Sequence, residues 1–120
     1  MIHHASVDVS DLERSGRFYD GLLGPLGWRR QVETDEVIAW GIVKPVFFAS
    51  ARRSAGTGGG HVCFSASGTP AVKAAWEGGV AAGGVDDGAP GNRPQYGPAY
   101  YSAYLRDPDG YRVEVAVSTD

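Results

Sequence analysis

Ile2-His3-His4-Ala5-Ser6-Val7-Asp8-Val9-Ser10-Asp11-Leu12-Glu13 is the stretch whose reading decides the fold, because its pattern returns from His61. A shift of 57 positions lays His4 on His61, Ser6 on Cys63, Val7 on Phe64, Ser10 on Ser67, Tyr19 on Trp76, Asp20 on Glu77, Gly21 on Gly78 and Gly27 on Gly84. Two such periods nearly fill the 120 residues, so the simplest architecture is one supersecondary unit used twice, each copy opened by a histidine. Within the stretch, Ala5, Val7 and Val9 alternate with His4, Ser6 and Asp8, the mark of a half-buried strand. Ser10 followed by Glu13 reads as a capping box that starts a helix. Leu12, Tyr19, Leu22, Leu23 and Leu26 supply that helix's apolar side, and Gly24-Pro25 its stop.

Outward from there, strands are expected around Trp28 to Val32, Val37 to Val43 and Pro45 to Ser50, which makes the first unit strand, helix and three strands. The glycine-rich run at about 54–60 reads as a linker, because glycine loses the most backbone entropy on ordering. The second copy opens with Val62, Phe64 and Ala66 on one face and His61, Cys63 and Ser65 on the other. Thr69-Pro70 reads as a cap with Pro at the first helical position. Gly78 and Gly79 each cost about 1 kcal/mol relative to Ala in a helix, so that helix is expected to be short or to lean heavily on packing. Gly83 to Pro98, rich in glycine and proline, reads as a long irregular segment and a mobile lid carrying Tyr96. Asp107-Pro108-Asp109-Gly110 is a type I turn with a glycine bulge, which sets Leu105 against Val113, Ala103 against Val115 and Tyr104 against Glu114.

The chain is thus expected to be a single α+β domain over 1–120, with module 1 at about 1–53, the linker at about 54–60 and module 2 at about 61–118. Its composition, 42% hydrophobic and 21% charged, is that of a globular protein, and no apolar run approaches the length of a membrane span. The opening strand pattern has no basic and apolar regions of a secretory signal, and a single cysteine, Cys63, permits no internal disulfide. Both point to the cytoplasm. A net charge of -3 with scattered Lys and Arg provides no basic stripe for nucleic acid.

The strand faces opposite the apolar ones carry His4, His61 and Glu114. Two neutral imidazoles and one carboxylate on three strands of a curved sheet are a ligand set for a divalent metal that leaves positions open for substrate. Tyr104 beside Glu114 is placed to orient the carboxylate or donate a proton, and Ser6 to hydrogen-bond a ligand. Each of these residues also has a plain structural reading. His3 reads as a fraying terminal residue turned toward the core face, and Cys63 as a small lining residue with no activating base.

Three motifs carry a family resemblance. They are the run from His4 to Tyr19 with the pattern HxxxxVxDLxxSxxFY, a second GHVxF at Gly60, and DPDGYRVE from Asp107. The sequence resembles the vicinal oxygen chelate superfamily, which includes glyoxalase I, extradiol dioxygenases, fosfomycin-resistance thiol transferases and bleomycin-resistance proteins. The resemblance covers nearly the whole chain and implies two tandem βαβββ modules forming a cupped mixed sheet around one cleft, with helices on the outer face. Glyoxalase I takes a His and a Glu from each module; here His4, His61 and Glu114 match, whereas Val46 to Ser50 hold no carboxylate. Fosfomycin transferases and extradiol dioxygenases use two His and one Glu at these places, with a Tyr where Tyr104 stands. The resemblance therefore implies an enzyme, a glyoxalase-like lyase, transferase or oxygenase, acting on a small oxygen-bearing substrate chelated to zinc, nickel, manganese or iron. Glu114 and Tyr104 would be its catalytic residues, with Ser6, Phe48, Tyr96 and Tyr100 against the substrate. The alternative is a metal-free protein of the bleomycin-resistance type that sequesters a small molecule between aromatic walls, among them Phe48, Trp40, Tyr96 and Tyr100. In either case a homodimer with sites shared between chains is expected, the glycine linker letting each module pair with its partner's complement.

Overall fold

The computed structural model describes residues 2–56 and 61–118, so positions 57–60 of the expected linker lie outside the described residues. The opening alternation forms β1 (Ala5–Asp8), followed by α1 (Leu12–Leu23), a 3-10 turn (Gly24–Leu26), β2 (Arg29–Glu33), β3 (Val37–Gly41) and β4 (Phe47–Ser50). The second unit repeats this order as β5 (His61–Ser65), α2 (Thr69–Ala81), β6 (Val85–Asn92), β7 (Tyr100–Arg106) and β8 (Arg112–Ser118). Each unit makes its own four-stranded mixed sheet, in the orders β1-β4-β3-β2 and β5-β8-β7-β6. β1 runs parallel to β4 and β5 parallel to β8, a pairing that needs a helical crossover, which α1 and α2 help to provide. β1 and β5 are edge strands, each hydrogen-bonded on one side only. No helix among the described residues is long and apolar enough to cross a membrane.

Several local expectations change in three dimensions. The Ser10–Glu13 capping box is replaced by Asp11, whose side chain accepts from the Arg14 amide at 3.0 Å. Ser10 is withdrawn from that role because its hydroxyl donates to Asp109, far along the chain. The positive φ that turns the chain out of the helical region is at Gly27 and not at Gly24, which remains helical. Gly68 precedes α2 as its cap and Thr69 is already helical. The expected irregular segment 83–98 instead holds β6, which pairs with β7 at Val85, Asp86, Gly88, Gly91 and Asn92, with register shifts after Asp86 and Gly88. An outer strand bonds on one side only, so Pro90, which has no amide hydrogen, is tolerated there. What remains of the lid is a short turn in which Tyr96 N donates to Arg93 O at 2.9 Å.

α2 spans 13 residues despite its glycines, and the two helices explain why. They meet at Gly21 and Gly78, where a Cβ on either residue would collide with the other's carbonyl oxygen. Equivalent positions of the repeat thus touch each other, and the propensity cost of about 1 kcal/mol per glycine is offset by close helix packing. Phe18, Tyr19, Leu22 and Leu23 are fully buried, each worth about 1.5–3 kcal/mol for an aliphatic or aromatic side chain removed from water. They share one core with Phe64, Val72, Leu105, Val113 and Val115 of the second unit. Phe64 lies edge-on to Phe47 at 5.1 Å and to Trp28 at 5.5 Å between ring centroids. The two modules of one chain therefore pack together through their helices and do not stand apart as the linker had suggested.

The β7–β8 hairpin has the expected register, with Leu105 opposite Val113, Ala103 opposite Val115 and Tyr104 opposite Glu114. Gly110, at φ 91°, donates to Asp107 O at 2.9 Å and closes the turn with its bulge. That turn is also a bolt between the modules. Buried Asp107 accepts from Tyr19 OH at 2.6 Å and from the amides of Asp109 and Tyr111 at 2.9 Å. Asp109 accepts from the Ser10 amide at 3.2 Å, and its negative charge suits the α1 N-terminus. The Tyr111 hydroxyl donates to Asp8 O at 2.9 Å and accepts from the Gly56 amide at 2.7 Å.

Candidate functional site

With the apolar faces turned to the helices, the second sheet presents His61, Cys63, Tyr104 and Glu114 on its other face, as the alternation requires. Glu114 is 3% exposed, and both its oxygens are engaged. Oε1 stands 3.3 Å from His61 Nε2, and Oε2 accepts from Tyr100 OH at 2.8 Å. Register places Tyr100 opposite Ser118, two positions along from Glu114 on the same face. Ser102 and Ala116 lie between them and are small, which leaves the Tyr100 ring room to lean along the strand to the carboxylate. Tyr104, directly across the ladder, feels Glu114 chiefly through its charge. The hydroxyl hydrogen-bonded to Glu114 is thus Tyr100's, a contact the sequence reading, which set Tyr104 to orient the carboxylate or donate a proton, did not include.

His61, Tyr96, Tyr100, Tyr104 and Glu114 enclose a cup of about 260 Å³. Tyr96 and Tyr100 rings stand 5.5 Å apart, edge to face. A second hollow of about 320 Å³ runs between β1 and the β5–β8 pair; Ser6, Tyr19, Phe47 and His61 line it. His61 borders both. His4 lies in neither. It packs edge-on against Phe48 at 5.3 Å and lines a third hollow together with Cys63. His3 is exposed, with its Nδ1 3.0 Å from that of His4, and does not enter the core. Trp40 is no wall of the cup: it is buried in the core and donates to Asp20 at 2.9 Å. Two further groups went unremarked in the sequence, Arg112 and Arg93, whose guanidinium carbons stand 4.0 and 5.5 Å from the centroid of the Tyr104 ring. For Arg112 the alternation along β8 was a signal; Arg93 follows the end of β6 and had none.

Burial, and then the charge of Glu114, push the Tyr104 hydroxyl up to about 12. Burial and the hydrogen bond to Glu114 raise Tyr100 further still. The Cys63 sulfur, though the residue keeps part of its surface open, is pushed up to about 12 by burial and by Glu114. These shifts favour the protonated forms at neutral pH, in which Tyr100 donates to Glu114 and Cys63 is a thiol.

Residues 1–115 match the model of the Glyoxalase/Bleomycin resistance protein/Dioxygenase superfamily. The chain belongs to that superfamily. A glyoxalase/bleomycin resistance protein from Albidiferax ferrireducens T118 has a similar structure, with TM-score 0.82, 33% identity and 94% of each chain covered. A glyoxalase-related enzyme from Fulvimarina pelagi, at TM-score 0.74 and 23% identity, covers 94% of this chain and 85% of its own. Lactoylglutathione lyase from Agrobacterium tumefaciens, at TM-score 0.67 and 20% identity, covers 94% of this chain and 90% of its own. At such identities the last two speak to the fold alone. No curated protein matches the chain.

Superfamily members with a metal require donors that meet at one point. Two ligands about 2.1 Å from a shared ion, at tetrahedral or octahedral angles, stand about 3.0–3.4 Å apart. The 3.3 Å between His61 Nε2 and Glu114 Oε1, an ordinary ion-pair contact, also falls in that range, and the pair would supply two of the three ligands of such a site. Among the described residues of one chain, no group of three or more His, Cys, Asp or Glu side chains is gathered for an ion.

Proposed function

We propose that this superfamily member is a metal-dependent enzyme acting on a small oxygen-bearing substrate. A divalent ion would be held by His61 and Glu114 of one chain and His4 of a second. The observation that carries this reading is the buried carboxylate of Glu114, held at ligand spacing from His61 and opening on an aromatic cup. Such an ion would supply Lewis acidity toward a ligand oxygen. The chain's own residues do the rest. Tyr100 fixes the rotamer of Glu114 through its hydroxyl, and Tyr96, Tyr100 and Tyr104 offer aromatic surface to the ligand. Tyr104, opposite Glu114 across the ladder and with its hydroxyl pushed up to about 12, would be the proton donor left free of the Tyr100–Glu114 bond. Nitrogen and oxygen donors accept zinc, nickel, manganese or ferrous iron.

The test is metal content after purification and reconstitution. Wild-type protein is expected to hold one ion per site and His61→Ala none, with the fold retained because His61 is exposed on the site face. Tyr100→Phe is expected to weaken the ion about 10–100-fold, the usual effect of losing an outer hydrogen bond to a ligand. Tyr104→Phe should leave it within a few-fold. A wild-type protein that takes up no ion yet binds aromatic ligands in the cup would favour the sequestering alternative.

A further inference from the structure

The seam between the two modules holds a hollow that the proposed site does not use. It lies between β1 and the β5–β8 pair, has a volume of about 320 Å³ and shares only His61 with the cup. Val7, Phe47, Val62 and Val113 give it apolar walls drawn from both modules. Hydrogen bonds that cross the seam hold the walls in place. Tyr19 donates to Asp107 of the second module at 2.6 Å, and Tyr111 donates to Asp8 O of the first at 2.9 Å, and both rings line the hollow. The opening is thus built into the docked modules before any ligand arrives, so little ordering entropy is lost on binding.

The polar groups around the hollow decide what it can take. Arg112 is paired with Asp87 at 3.0 Å and stacked on the Tyr104 ring, and His61 stands 3.3 Å from Glu114. Tyr19 and Tyr111 direct their hydroxyl protons to Asp107 and to Asp8 O. That leaves Ser6, which is exposed at the mouth and whose hydroxyl bonds to no other described residue. A charged ligand would leave water for walls that offer no unpaired opposite charge, and burying it there is unfavourable. A neutral apolar body meets no such penalty and gains from contact with the valines and Phe47. An apolar cavity of about 150 Å³ already admits a benzene ring, so 320 Å³ accommodates a ring with a substituent.

We propose that this seam is a second ligand site, for a neutral, apolar molecule of about one ring whose single hydroxyl or carbonyl hydrogen-bonds Ser6. Such a ligand touches both modules at once and stabilises their docked arrangement. It acts apart from the cup and from any ion held there.

The protein as purified is titrated with cyclohexanol and with its charged counterparts cyclohexylammonium and cyclohexanecarboxylate, and binding is followed by NMR. Cyclohexanol should bind with contacts from its ring protons to the methyls of Val7, Val62 and Val113, at least about tenfold tighter than either charged molecule. Ser6→Ala should weaken it about 2–10-fold, the effect of one neutral hydrogen bond. Ser6→Phe, at an exposed position where the new ring fills the mouth, should abolish binding. Tyr96→Ala strips a wall from the cup alone and should leave cyclohexanol binding unchanged, so that a failed cup and a failed seam are told apart. Protein that binds no cyclohexanol, the result expected if a second copy of the chain closes the hollow, overturns the proposal. So do contacts confined to Tyr96 and Tyr100, charged molecules that bind as well as the alcohol, or a Ser6→Phe variant that still binds it.

Discussion

A His4→Ala protein mixed with a Glu114→Ala protein is expected to regain metal binding after subunit exchange, although each alone binds no ion. The expectation follows from the proposed site. In a mixed dimer, the Glu114→Ala chain contributes His4 and the His4→Ala chain contributes His61 and Glu114, which completes one site and leaves the other broken. With random exchange of equal amounts, about a quarter of all sites should be restored. The reason to look across chains is geometric. His61 and Glu114 are already together, whereas His4 borders a different hollow beside Phe48 and Cys63. β1 and β5 each leave one edge open, the kind of surface that a second copy covers. Exchange verified by mass, with no recovery of bound metal, would place the complete site within one chain or remove it altogether.

Asp107→Ala is expected to destabilise the protein by about 3–5 kcal/mol, because it leaves Tyr19 OH and the amides of Asp109 and Tyr111 without their buried acceptor. Asp107→Asn should cost less, since its carbonyl oxygen still accepts from the amides. The pH dependence has a definite sign. Burial raises the Asp107 carboxyl above its ordinary 3.8 in the folded protein, against the pull of its hydrogen bonds. A carboxyl raised on folding binds more protons in the native state, so its contribution falls as pH rises. The stability advantage of wild type over Asp107→Asn should therefore be largest below about pH 3.8 and shrink as pH climbs through the folded value. Denaturant unfolding of both proteins across that window checks it; an advantage that grows with pH would contradict the cause assigned here.

The bolt at Asp107 also shows where sequence reading reaches its limit. Asp107-Pro108-Asp109-Gly110 was readable as a turn because Pro and Gly act on their own φ angles, and the turn in turn dictated the register that faces Tyr104 to Glu114. Nothing in the same four residues says that both carboxylates reach back to Ser10 and Tyr19, because that contact joins positions about 90 or more residues apart. The same divide runs through the glycines. Gly78 read locally as a cost in α2, and only its contact with Gly21 shows it as the place where two helix backbones meet. In β6, glycine and proline suggested an irregular lid, and pairing to β7 at a sheet edge overrode that preference.

Of the residues the sequence offered for one site, His61, Tyr96, Tyr100, Tyr104 and Glu114 line one cup, whereas His4, Ser6 and Phe48 do not. By itself, the sequence determined the twofold repeat, the βαβββ order of each unit and the faces of β1, β5, β7 and β8. These depend on periodicity and turn chemistry, which act over a few residues. The tertiary structure alone decided that the Tyr100 hydroxyl bonds Glu114, that Arg93 stands over Gly88, and that His4 lines a different hollow from His61. Those outcomes turn on which side chains are small enough to leave a path and on how two modules dock, and a side chain's reach across a sheet is set by the neighbours that packing brings to it.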